Sequence, residues 1–228
     1  MFDKDKHRSI MLRILKDIYV SNIGKYLGFK GGTMAYLFYE LPRMSVDLDF
    51  DLLDSDKETE VFEELKEVLA KHGKILESVV KKNTLFFLVD YGYSQRKLKV
   101  EVSRRKTETE FAVRNYMGIS MLVMNRAAMV ACKLVALVER NKFASRDVFD
   151  INYFLKNGYD IDKELVELRT GKKFAKVVEA AVSRISKMKE NEVMFGLGDL
   201  LDEKTKVYVR QKLKEDVKLE LKMLVAKR

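Results

Sequence analysis

The sequence predicts an α+β protein: a small mixed sheet with flanking helices, followed by an all-helical C-terminal region. Three observations carry that reading. Period-two alternation recurs at Val46 to Leu53 and again at about 74–81, 84–91 and 96–103. Helical periodicity is interleaved with those runs up to about residue 120. From about 125 onward the periodicity is helical throughout. The shift places a boundary near residue 120, giving an α/β domain over 1–120 and a helical domain over 121–228. No repeat, low-complexity tract or linker interrupts the chain of 228 residues.

The elements follow in order. Residues 4–27 carry Ile10, Ile14, Ile18 and Leu27 near helical spacing, and the short apolar run from Tyr26 to Lys30 reads as a first strand. Gly31 and Gly32 break it. Residues 33–40 then read as helix until Pro42 ends the segment. After the strand at Val46 to Leu53, Asp54 or Ser55 can cap a helix over about 56–72, with Val61, Leu65, Val68 and Leu69 on one stripe. Asn83 and the cluster Gly92-Tyr93-Ser94 mark turns between the three strands that follow. Residues 119–124 read either as a short strand or as the lead into the next helix. Further helices are expected at 125–140, 145–156, 162–169, 172–190 and 203–227. Asn125, Ser145 and Asp162 serve as caps, with Asn157-Gly158 and Gly171 as stops.

Composition narrows the chemistry. With 47% hydrophobic residues the chain can bury a core, and with 35% charged residues it should be soluble. No run of about 18 apolar residues is present, so no membrane span is expected. The opening MFDKDKHRSI lacks the apolar core of a signal peptide. One cysteine, Cys132, excludes an intramolecular disulfide, and a cytoplasmic location is expected. His7 and His72 lie far apart with no cysteine near either, which argues against a Cys/His zinc site or a histidine triad. Any metal should therefore take oxygen ligands, favouring Mg²⁺ or Mn²⁺. The net charge of +9 suits a polyanionic partner, although a Lys- and Glu-rich surface also serves solubility. Residues 172–228 hold 15 Lys and Arg against 9 Asp and Glu, so most of that excess lies in the last helices.

Two stretches carry the residues that can do chemistry. In KGGTMAYLFYELPRMSVDLDFD, the Gly31-Gly32-Thr33 turn lets the backbone approach a phosphate where a helix offers free N–H groups. Such glycines also occur for conformational reasons alone. Asp47, Asp49 and Asp51 alternate, so they share one face of the strand. Asp47 and Asp49, about 6.5–7 Å apart along a strand, can converge on a divalent ion. Asp51 ranks below them, as an exposed polar residue of the same face. Glu101 becomes a third carboxylate if its strand lies beside theirs, and is otherwise a surface residue. In NRAAMVACKLVALVERNKFASRDVFD, Arg126, Lys133 and Arg140 share one side of a helix. Lys133 sits among apolar neighbours and suits a triphosphate as a compact cation. Asp147 and Asp150 are helical neighbours. One of them can position Lys133 or accept a proton, or both simply pair with Arg146 or Lys142. Cys132 reads as a packing residue.

Together the two stretches resemble the AbiEii/AbiGii-type nucleotidyltransferase toxins. The likeness rests on KGGT, on R-x-S-x-D-x-D, on a later acidic strand residue and on K-x6-R-x5-R-D-x2-D, across residues 27–155. It implies a polymerase-beta-like nucleotidyltransferase fold and the toxin partner of a toxin–antitoxin or phage-defence system. Some members of that family transfer nucleotides from an NTP to the 3′ end of tRNA. The resemblance implies that Gly31, Gly32, Thr33 and Ser45 hold the triphosphate and that Asp47 and Asp49 bind Mg²⁺. It implies that Lys133 binds phosphates, that Asp147 acts as base or orienting group, and that Arg43 belongs to the nucleotide site. Glu101 would join the metal ligands. The glycine motif reads GGT where the broader superfamily often has GS. The implied partners are an NTP, an RNA acceptor and a cognate antitoxin protein. The expected reaction is attack by an acceptor hydroxyl on the α-phosphate with release of pyrophosphate. Its rivals are a nucleotide- or RNA-binding module without catalysis, and transfer to a protein hydroxyl.

Overall fold

The computed structural model describes residues 3–92 and 96–226. Tyr93 and Ser94 of the expected turn, and residue 227 of the expected last helix, lie outside the described residues. The chain divides into two units, Met1–Glu40 with Met44–Asn125, and Leu41–Arg43 with Arg126–Arg228. Residue 120 lies within a strand, and the first unit runs on through Asn125.

The first unit is built on a seven-stranded mixed sheet. Its strands are β1 (Leu27–Lys30), β2 (Asp47–Leu52), β3 (Lys74–Lys81), β4 (Thr84–Asp90), β5 (Leu98–Ser103), β6 (Phe111–Tyr116) and β7 (Ile119–Met124), in the order β3-β4-β5-β2-β1-β7-β6. β2 lies antiparallel to β1 and parallel to β5, and β1 is parallel to β7. The helices are α1 (Lys4–Val20), α2 (Gly31–Phe38) and α3 (Glu58–Ala70). Leu48 and Phe50 of β2, Phe29 of β1 and Val100 and Val102 of β5 are buried, as are Ile14, Leu15 and Ile18 of α1. At about 25 cal/mol per Å² of apolar surface, such alternation drives one sheet face inward and leaves the opposite face of β2 to its acids.

A buried histidine ties α1 to the approach of β2. His7 is fully buried; its Nε2–H donates to the Val46 carbonyl at 2.9 Å, so Nδ1 accepts from the Tyr91 hydroxyl at 2.6 Å. Burial holds its pKa below the ordinary 6.5, outweighing the bond to Val46. The unfolded chain therefore takes up this proton first as the pH falls. Stability should be undiminished above 6.5 and decline below it. We expect the urea midpoint to drop between about pH 7 and about pH 5, with a shallower drop in His7→Gln.

The second unit is helical: α4 (Arg126–Glu139), α5 (Ser145–Lys156), α6 (Lys163–Thr170), α7 (Phe174–Ser186), α8 (Glu203–Gln211) and α9 (Leu213–Ala226). Asp162 caps α6 by accepting from the Leu165 N–H at 2.9 Å, and Gly171 ends it in the left-handed region at φ 65°. Ser145 is not a cap; Ala144 holds that position, and the Ser145 hydroxyl donates to the Glu192 carbonyl.

Several boundaries differ from the expectation. α1 stops at Val20, and a 3-10 turn over Asn22–Tyr26 leads into β1. Residues 119–124 are a strand, and β6, which the sequence reading passed over, pairs with it as the sheet's edge. The expected helix 172–190 closes at Ser186, and 203–227 is two helices separated at Lys212. No helix among the described residues is long and apolar enough to cross a membrane.

Candidate active site

In the first unit the glycine turn and the acidic strand meet. Lys30 pairs with Asp49 in register, and the chain turns directly into α2 at Gly31. Gly31 has φ 80°, and a Cβ there would overlap the Asp49 carboxylate. Both facts require glycine: the backbone is left-handed and the space is already filled. Lys30 occupies the N-cap position of α2 without a side-chain capping bond. Asp49 therefore lies against the first turn of a helix whose N–H groups no side chain caps.

The Thr33 hydroxyl is buried and donates to the Asp47 carbonyl, fastening α2 to β2. Ser45 is also buried, at the entry to β2. Asp51 is not the exposed residue expected of it. It is 2% exposed and paired with Lys30, and it accepts from the Thr107 hydroxyl at 3.4 Å. The strand alternation alone hid this, because the partner comes from β1.

Asp49 pairs in register with Glu101 and Asp47 with Lys99. The strand of Glu101 thus lies directly beside that of the acidic pair. Between these acids stands a cation: Lys99 Nζ is 3.3 Å from Asp47 Oδ2 and 3.6 Å from Glu101 Oε2. Sequence reading missed Lys99, although its place two residues before Glu101 put it on the same strand face. Burial raises the pKa of Asp49, and the charges of Asp47 and Glu101 raise it further. The attractions of Asp47, Glu101 and Asp49 outweigh burial at Lys99 and raise its pKa.

These residues fit a divalent cation in donor type, since all are hard carboxylate oxygens on neighbouring strands. Lys99 lies against Asp47 and Glu101 alike, at 3.3 and 3.6 Å, so both share their charge with it as they stand. Among the described residues no three acidic, His or Cys side chains converge as a ready ligand set. Lys99 here holds the charge balance a bound cation would otherwise supply. Lys99→Met should lower the melting temperature in chelator by about 2–4 °C, and Mg²⁺ should recover it. A midpoint unchanged in chelator would show that Lys99 does not stabilise this acid cluster.

The second unit carries its own charge network. Arg43, 3% exposed, grips Asp150 with Nε to Oδ1 at 2.5 Å and Nη2 to Oδ2 at 2.6 Å. Lys133 Nζ lies 2.8 Å from Asp150 Oδ2 and 3.5 Å from Asp147 Oδ1. Arg140 Nη1 lies 3.1 Å from Asp147 Oδ2. Burial alone would raise the pKa of Asp150, but Arg43 and Lys133 outweigh it and hold the carboxyl below its ordinary value. Asp147 is 1% exposed, and neither oxygen makes a well-directed hydrogen bond. The Arg43 guanidinium fork is occupied by Asp150, so Arg43 clamps this network. The alternative pairing of Asp147 or Asp150 with Arg146 or Lys142 is not what forms.

A mixed sheet with paired acids beside a glycine-opened helix, joined in sequence to a helical unit, is an arrangement suited to nucleotidyl transfer. The family model described as "Nucleotidyl transferase AbiEii toxin, Type IV TA system" matches residues 13–221. The chain belongs to this family of nucleotidyltransferase toxins of type IV toxin–antitoxin systems. Among solved structures it is similar to JHP933 from Helicobacter pylori, at 19% identity over 98% of this chain and 95% of that one, with a TM-score of 0.59. It is also similar to a protein from H. pylori described as a candidate nucleotidyltransferase, at 20% identity over 97% of each chain, with a TM-score of 0.60. At these identities the likeness speaks for the fold. No curated protein matches the chain.

Proposed function

We propose that this protein transfers a nucleotide from an NTP to the 3′ hydroxyl of an RNA, in the family's manner a tRNA, with release of pyrophosphate. The observation that carries the reading is the packing of Asp49 against Gly31 at the uncapped start of α2, with Asp47 on the same strand face. An anion-binding helix end and a carboxylate pair are what an NTP with its divalent ion needs.

In this reading the backbone amides of Gly31, Gly32 and Thr33 receive phosphate oxygens, with Ser45 nearby in sequence, while Asp47 and Asp49 hold Mg²⁺ or Mn²⁺. The bound ion supplies charge neutralisation at the phosphates. Lys133 neutralises phosphate charge and Asp147 orients Lys133; its place between two cations suits orientation better than proton abstraction. Glu101 supports the acid pair once Lys99 is drawn away. The acceptor oxygen bonds to the α-phosphorus, the bond to the β-phosphate oxygen breaks, pyrophosphate departs, and the acceptor proton passes to water. The chain contributes positioning and electrostatics.

The test is incubation with each α-labelled NTP and either total RNA or total protein. Label at RNA 3′ ends is the expected outcome. Label confined to protein would move the acceptor to a protein hydroxyl, and NTP binding without any transfer would reduce the chain to a binding module. A cognate antitoxin is proposed as the cellular partner, consistent with the family, and a cytoplasmic location accompanies it.

A further inference from the structure

We infer that the acceptor RNA strand runs along α1, in a basic concavity between that helix and the β6–β7 turn. This inference rests on the RNA-directed transfer proposed above. The concavity is about 560 Å³ and is lined by Arg8, Ser9, Arg13 and Lys16 of α1, with Asp5 at one end and Met117 of the turn opposite. All of these belong to the first unit, as do the acids of β2.

Three features favour a phosphate backbone as the occupant. The first is unspent charge. Neither Arg13 nor Lys16 pairs with an acid among the described residues, and both are exposed. In the more basic C-terminal region many cations are already neutralised: Lys156 by Asp216, Lys176 by Glu179, Lys206 by Glu203 and Lys218 by Glu215. These pairs leave the net excess of residues 172–228 unchanged, but they occupy individual cations, whereas no acid holds Arg13 or Lys16 among the described residues. The second is a guanidinium held in place. Arg8 Nη2 donates to the Tyr116 hydroxyl at 2.6 Å, and its Nε is buried without an acceptor. A fixed guanidinium suits phosphate geometry through the Nη donors that Tyr116 does not take. Tyr116 also packs against Phe38 of α2, at 5.7 Å between ring centroids, so an aromatic pair flanks this cation.

The third is position. His7, the residue before Arg8, is bonded to the carbonyl of Val46, the residue before Asp47. The start of α1 is therefore fastened to the start of β2. From Arg8 to Lys16 the basic face extends about 12 Å along the helix. A strand whose 3′ end lies at Asp47 and Asp49 can leave along this face with its phosphates on Arg8, Arg13 and Lys16. Asp5 offsets one charge and marks the end of the track.

The test is fluorescence anisotropy with a short 5′-labelled single-stranded RNA and the full chain, titrated between about 50 and 200 mM salt. Arg13→Ala with Lys16→Ala removes two exposed cations that hold nothing else in place. This double variant should bind more weakly, and its slope of log K against log salt should be shallower by about 1.4, or about 0.7 for each lost phosphate. Lys172→Ala with Lys187→Ala, two exposed lysines of the second unit, should keep the wild-type slope. An unchanged slope in the α1 variant, or the loss appearing in the second pair instead, would overturn the track. So would an acidic protein that binds this face while RNA binding is unaffected by the α1 variant. If no NTP is ever transferred but the α1 variant shows the shallower slope, the chemistry proposed above fails while the RNA track stands.

Discussion

Asp150→Ala is expected to destabilise the second unit by about 3–5 kcal/mol, the cost of leaving a buried charge without its partner. The geometry explains the size. Arg43 is 3% exposed and spends its fork on both Asp150 oxygens at 2.5 and 2.6 Å, while Lys133 adds a third contact at 2.8 Å. Removing the carboxylate takes from the nearly buried guanidinium and from Lys133 the contacts they share with Asp150. Arg43→Met combined with Asp150→Leu should cost much less, because neither half is left uncompensated. Urea denaturation followed by circular dichroism measures both. If Asp150→Ala and the double variant were equally stable, the buried pair would not be what organises α5. The same network gives a pH signature. The depressed Asp150 pKa contributes stability above the ordinary 3.8 that is lost as the pH falls through the folded value.

That network marks a limit of sequence reading. Lys133, Asp147 and Asp150 were legible because they share two consecutive helices, and helical spacing fixes which residues are neighbours. Arg43 was visible only as a motif letter. Its partner lies 107 positions away, and no local periodicity reports a contact at that separation. Asp51 failed for the same reason in reverse: alternation placed it on the acid face, but Lys30 of β1 removes it from solvent. The sheet was legible wherever one face is buried, as in β4 and β5, whose burial alternates strictly. β6 was not, since its residues are exposed or half-exposed along the whole strand and leave no period to read. The junction at Lys212 lacks the glycine or proline that would announce it.

Asp47→Ala or Asp49→Ala is expected to abolish nucleotide transfer while the fold persists. Both side chains lie on the sheet face that carries acids rather than core, and Leu48 and Phe50 keep β2 anchored in either variant. Their loss removes the ligands for the divalent ion and, with Asp49, the carboxylate against which Gly31 is fitted. Losses of about 10³-fold or more are in keeping with removing charge stabilisation from a phosphoryl-transfer transition state. Stability should change little, and relieving like-charge crowding at Asp49 can even raise it.

Pyrophosphate release during transfer of an α-labelled nucleotide, measured for the wild type and for Asp49→Ala with Mg²⁺ present, tests the central claim most directly. The account predicts Mg²⁺-dependent release from the wild type and none above background from a variant that melts at an unchanged temperature. Full release from the folded variant would contradict it, because the acid pair would then take no part in the reaction.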